Sequence, residues 1–159
     1  MPGTVSPSVR LASSNDLGFL AEAHRSGHAA VADQRGGKLD VALRGRAEPI
    51  EDSFANSLAD ERTRLFIGEI DGVAVGYLTV SIESLRTSDK IARVTDLWVH
   101  PEARGVGVGA SLMRSAVEFA EDNGCTGIDA RALPGDRVTK NFFESFGLVA
   151  RTIEVHKAI

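Results

Sequence analysis

The stretch Val94-Thr95-Asp96-Leu97-Trp98-Val99-His100-Pro101-Glu102-Ala103-Arg104-Gly105-Val106-Gly107-Val108-Gly109 decides how this chain is read. Its first half is rich in β-branched and apolar residues and predicts a strand over Ile91 to Val99. That strand stops at His100-Pro101, because proline has no N–H to give to a ladder. Three alternating glycines follow, and a helix begins at once. Glycine lets the backbone turn tightly and bring its N–H groups close to an anion. The unpaired N–H groups of the helix's first turn add donors and partial positive charge. Together they form a phosphate cradle that needs no metal, and Arg104 can add a charge-assisted contact. Taken alone, the glycines would equally suit a tight turn that packs a helix. The segment lacks the Gly-Lys-Ser/Thr ending of a P-loop and the wider Gly-x-Gly-x-x-Gly spacing of a dinucleotide fold.

Upstream of this segment, Arg64 to Ile70 and Val73 to Ile82 predict two strands joined at Asp71-Gly72. That dipeptide signals a two-residue hairpin, since both turn positions favour positive φ. Gly76 within the second strand marks a bulge or a close backbone approach. Glu83 to Lys90 reads as a polar turn. Before the hairpin come a short strand, Val9 to Ala12, and a helix opened by Ser13 and Asp16 at capping-box spacing; this helix is expected to end near Gly27. Ala29 to Pro49, broken by Gly36-Gly37 and Gly45, reads as irregular. Glu51 to Glu61 predicts another helix.

Downstream, Leu112, Met113, Ala116, Val117, Phe119 and Ala120 give the helix from Val108 to Asn123 a broad apolar stripe for packing on a sheet. Thr126 to Leu133 predicts a strand. Arg137 to Phe146 predicts a short helix capped by Asp136 and closed by Gly147. Leu148 to Ile159 predicts a last strand. The order is one of helices laid over a sheet, with antiparallel hairpins early and a crossover later.

The 159 residues suit one domain, read as residues 8–159 behind a flexible lead over residues 1–7. Apolar residues at 43% and charged residues at 25% are ordinary for a globular protein. A net charge of −4 with scattered Lys and Arg excludes the clustered basic surface that nucleic acid requires. No apolar run reaches the roughly 20 residues that span a bilayer, and the first residues carry no secretory pattern. A cytoplasmic location without membrane contact is therefore expected. The single cysteine, Cys125, reads as a small hydrophobe near a helix end, and no metal set is expected.

The central stretch resembles the signature of the GNAT acetyltransferases: a strand, L-x-V, Pro, then Arg/Gln-x-x-Gly-x-Gly/Ala opening a helix. Leu97-Trp98-Val99, Pro101 and Arg104 to Gly109 fill those places. Phe142 to Leu148 is similar to the family's second motif, which usually carries Tyr-x-x-x-Gly-Phe. The resemblance implies an α/β (α+β) fold. Its mixed, mostly antiparallel sheet has six to seven strands, splayed in the middle, with four helices. It also implies acetyl-CoA as cofactor, with its pantetheine arm paired to backbone near Leu97, Trp98 and Val99. The pyrophosphate would sit on the amides of Gly105, Val106, Gly107, Val108, Gly109 and Ala110 beside Arg104.

The activity implied is acetyl transfer to a primary amine, of a small molecule or of a protein, by direct attack on the thioester. Many members place a Glu or Asp base on the strand before the phosphate loop, and Asp96 stands there. Glu83 and His100 are weaker candidates. At the position of the family's tyrosine acid stands Phe143, which has no proton to give but is still expected among the cofactor-contacting residues, where it would pack; Asp136 replaces a frequent Asn that contacts the cofactor. A thiolate is a tolerable leaving group near neutral pH, so loss of the tyrosine need not abolish activity: water or another group protonates the sulfur, or catalysis is slow or absent. The alternative is a non-catalytic acyl-CoA-binding module. A homodimer is plausible by analogy alone.

Overall fold

A computed structural model describes residues 3–159, so the first two residues of the expected lead lie outside it. Strand β1 is Pro7–Leu11, followed by helices α1 (Leu17–Ala32), α2 (Gly37–Arg44) and α3 (Ile50–Ala59). Strands β2 (Thr63–Ile70), β3 (Val73–Ser84) and β4 (Lys90–Val99) come next. Helix α4 (Val108–Asp122), strand β5 (Gly127–Asp129) and helix α5 (Arg137–Glu144) complete the order. The class is α/β as expected, but the described sheet has five strands and there are five α-helices, not six to seven and four.

The sheet runs β1-β2-β3-β4-β5 in chain order. Its first four strands are antiparallel, and β5 joins β4 in parallel after the α4 crossover. The β2–β3 turn is as the sequence reads: Asp71 and Gly72 both take positive φ, 51° and 76°. At Gly76, an added Cβ would sit 2.8 Å from the Trp98 carbonyl oxygen, so glycine is there for close approach.

The sheet separates two cores. On one face α4 packs Val108, Leu112, Met113 and Ala116 onto Leu78, Val80 and Val94. On the other, α1 and α3 pack Leu20, Ala21 and Phe54 onto Leu65, Ile67 and Tyr77.

The lead into α1 shows how local chemistry fixes an entry angle. The Asn15 N–H donates to Ser13 Oγ at 3.3 Å, and the Ser13 N–H donates to Asp16 Oδ2 at 2.8 Å. Arg10 on β1 grips both Asp16 oxygens at 2.8 Å, tying strand to helix and lowering the Asp16 pKa. Ser13→Ala should destabilise the fold by about 1 kcal/mol, a drop of roughly 2–4 °C in a thermal melt.

Four expectations need correction. Helix α1 runs past Gly27 to Ala32: Gly27 is a seat for Trp98 rather than a stop, since a Cβ there would lie 3.0 Å from the indole Cδ1. The stretch read as irregular contains α2, whose eight residues are too few to show a periodic signal. Pairing of the strand expected at Thr126 to Leu133 stops at Asp129. Leu148 to Ile159 forms no strand, and Val149, Ile153 and Val155 are more than 80% exposed.

Candidate active site

The β3–β4 ladder places the candidate residues, and it does so with a shift in phase. Val80 faces Val94 while Thr79 faces Asp96, so Thr95 is an extra residue in β4. Such a bulge re-aims the side chains beyond it. Simple alternation would put Val94, Asp96 and Trp98 on one face. The bulge leaves Val94 in the α4 core and turns Asp96 and Trp98 toward α1 and α3. Leu97 and Val99 face the α4 side.

Beside the same segment the sheet opens. Strand β5 pairs with β4 only at Ile91, Ala92 and Arg93. From Val94 to Val99 that edge of β4 meets no strand among the described residues. The loop beyond carries the glycines expected to turn: Gly105 and Gly107 have φ of 83° and 94°. Gly107 caps α4, and the Ser111 N–H bonds its carbonyl at 3.0 Å. The amides from Gly105 to Ala110 have no main-chain acceptor among the described residues. Residues 104–107 are exposed, Val108 is buried, and Gly109 and Ala110 are half-buried.

Arg104 and Phe143 are set differently from the loop glycines. Arg104 Nε donates to the Val99 carbonyl at 3.0 Å, folding back over the end of β4. Phe143 is buried in the α4 core, set back from the surface. Its neighbour Phe142 reaches the loop, with ring atoms 3.5 Å from where a Gly109 Cβ would stand. Asp136 caps α5, its carboxylate accepting from the Thr139 N–H at 3.0 Å.

Across the sheet from α4, Asp96 is the hub of a buried polar cluster. Its Oδ2 accepts from Arg46 at 2.8 Å and from the Thr95 hydroxyl at 3.3 Å. Its Oδ1 lies 3.6 Å from His24 Nδ1. Arg46 is itself anchored by α3: it donates to Ser57 Oγ at 2.9 Å and stacks 3.9 Å over the Phe54 ring. Burial pushes the Asp96 carboxyl up, but His24 and Arg46 outweigh it and hold the group at about 2. Tyr77 lies 3.5 Å from the same His24 nitrogen. Burial, reinforced by Asp96, raises its phenol well above 10, so it stays protonated.

Next to this cluster is a cavity of about 460 Å³ lined by His24, Arg25, His28, Arg46, Glu48 and Ile50 among others. His24 and His28 stand one helical turn apart with ring centroids 3.7 Å apart. The donor atoms of His24, His28 and Asp96 lie within 4.8 Å of one another. That span is one a metal ion could bridge, but a divalent ion would have to share Asp96 with the Arg46 guanidinium, 2.8 Å from its Oδ2, so no metal is assigned there. Sequence reading missed both histidines and Arg46. The i, i+4 spacing of His24 and His28 was the available signal, masked by an early end to the helix. Glu83 and His100 stand apart: Glu83 pairs with Arg93, and His100 Nδ1 accepts the Glu102 N–H at 3.2 Å.

The model of the Acetyltransferase (GNAT) family matches residues 37–148, so this chain belongs to that family. An uncharacterized N-acetyltransferase of Archaeoglobus fulgidus is 34% identical over 77 residues, 47% of this chain and 52% of that protein. A mycothiol acetyltransferase of Mycolicibacterium vanbaalenii is 32% identical over 69 residues, covering 43% and 22%. The matched stretches thus span about half or less of these curated relatives. A putative acetyltransferase from Agrobacterium tumefaciens superposes with a TM-score of 0.72 at 22% identity, covering 96% of this chain and 99% of that one. That likeness is one of fold.

Proposed function

We propose that this chain is an acetyl-CoA-dependent N-acetyltransferase that moves an acetyl group to a primary amine by direct attack on the thioester. The observation that carries this reading is the junction of two unfilled hydrogen-bonding surfaces. The open edge of β4 from Val94 to Val99 leads into the free amides of residues 105–110. A strand edge needs a partner, and the amides of a pantetheine arm supply one. The amides at the α4 N-terminus supply donors and partial charge for a pyrophosphate. Arg104, exposed at the mouth of this junction, can add a charge-assisted contact to a phosphate.

The site acts through placement. Leu97, Trp98 and Val99 fix the donor along β4, while the bulge at Thr95 opens the strand where the acyl group would lie. The cavity beside Asp96 opens on the opposite side of the sheet from α4 and supplies the acceptor's entry. Holding the two reactants in fixed geometry accounts for much of the barrier reduction in such a transfer.

Acetyl-CoA at about 100 times its Kd should stabilise the fold by roughly 2.7 kcal/mol, read as a shift in the thermal melt. Thiol release with a panel of primary amines should then exceed release without amine. No shift at saturating acetyl-CoA would overturn the assignment.

The burial of Phe143 supports a second reading, a donor-binding module without turnover, because no tyrosine stands ready to protonate the thiolate. Binding without amine-dependent thiol release would favour it.

A further inference from the structure

Asp96 is poorly placed to take a proton from an acceptor. Its side chain is 9% exposed, and one oxygen is held by Arg46 while the other faces His24. A carboxylate held at about 2 by such partners is a feeble base near neutral pH. The same partners, however, make it a good anchor for an imidazole.

We propose that His28 accepts the proton of the acceptor ammonium, with His24 and Asp96 as positioning residues that steady the resulting imidazolium. The inference rests on the N-acetyltransferase reading above and moves the base from β4 to α1.

Three features of the geometry carry it. His28 is half-buried and lines the cavity, whereas His24 beneath it is 3% exposed. The two rings touch at a tilt of 45° with centroids 3.7 Å apart, and His24 Nδ1 faces Asp96 Oδ1 at 3.6 Å, so positive charge on the pair has a carboxylate close by. Finally, the residue before His28 is Gly27, which lies directly against Trp98. That contact sets the histidine beside the strand on which the donor would lie.

The charged groups around His28 come from every packed element: His24 on α1, Asp40 on α2, Arg46 after it and Asp96 on β4. Burial, and then His24, lower the His28 pKa against the opposing pull of Asp96 and Asp40, which keeps the ring neutral and ready at pH 7. In the step itself, one ammonium proton passes to a ring nitrogen of His28. The freed lone pair attacks the thioester carbonyl carbon, and the C–S bond breaks. The second amine proton ends on the departing sulfur, and His28 returns its proton to water.

The test begins with calorimetry of acetyl-CoA binding to wild type and His28→Gln, where equal Kd values are expected. If wild type does not bind, the N-acetyltransferase reading falls rather than the assignment of the base. Profiles of kcat/KM against pH follow, using the best acceptor among n-propylamine, lysine and an alanine-terminated peptide. The variant should lose about 100-fold or more at pH 7. The gap should close toward pH 10, where the amine deprotonates unaided. A loss that is uniform across pH, or no loss, overturns the proposal. A second measurement needs no acceptor: ¹³C-imidazole NMR of His28 in wild type and in Asp96→Asn. Loss of the carboxylate should lower the His28 pKa, and an unmoved pKa overturns the coupling.

Discussion

Gly107→Glu should abolish acetyl-CoA binding, weakening Kd by at least about 100-fold, or roughly 2.7 kcal/mol. Two effects add. Gly107 sits at φ 94°, where a side chain costs about 1–2 kcal/mol. The new carboxylate would also stand among the amides at the α4 N-terminus, offering negative charge where phosphate must bind. Steric overlap is not the issue, since a Cβ here meets only Pro7 Cγ at 3.7 Å. The fold should therefore survive with a modest loss of thermal stability. Gly107→Ala separates the contributions, because it carries the backbone strain without the charge. Calorimetric titration of both variants should rank wild type, alanine and glutamate in falling affinity. Equal affinity for wild type and glutamate would remove the loop from the donor site.

Asp96→Ala should destabilise the protein by about 3–5 kcal/mol, because it strands the Arg46 guanidinium in a buried site with no counter-charge. The Arg46 side chain is 12% exposed, and among the described residues no other carboxylate pairs with it. Chemical denaturation at pH 7 measures the loss. The same pair makes a prediction about acid. The folded-state pKa of Asp96 is about 2, depressed from its ordinary 3.8. Its stabilisation is thus present above about pH 4 and disappears as pH falls toward 2, a change of about 2 kcal/mol. Asp96→Ala should lack this part of the acid slope. A variant as stable as wild type would show that Arg46 finds another partner.

Legibility along the chain followed the length of each pattern. The β2–β3 hairpin, β4, α4 and the glycine loop were readable because each carries a long apolar period or a turn residue with a backbone reason. The proposed donor side is built from these elements, so sequence alone was enough to propose it. The acceptor side could not. Gly27 looks like a helix stop, yet it is a seat for Trp98, and that distinction exists only in three dimensions. The bulge at Thr95 leaves no mark in the alternation of β4, and alternation alone would put Val94 on the same face as Asp96 and Trp98. His24, Arg46 and Asp96 come from three separate segments, and no local spacing announces their meeting. Leu148 to Ile159 shows the opposite failure: an alternating pattern that promises a strand but finds no place in the described sheet.

The separation of the two cores by one sheet also bears on how such a protein can change over generations. Substitutions among α1, α2 and α3 reshape the cavity without touching the α4 packing that sets the glycine loop. If the proposed assignment holds, a lineage can therefore exchange one acceptor for another while inheriting the loop and helix that hold the donor. Of the strands whose alternate side chains serve both cores, β4 also carries Asp96 and the open edge beside the glycine loop. Drift should be slowest there, and a change in that strand would have to satisfy two independent selections at once.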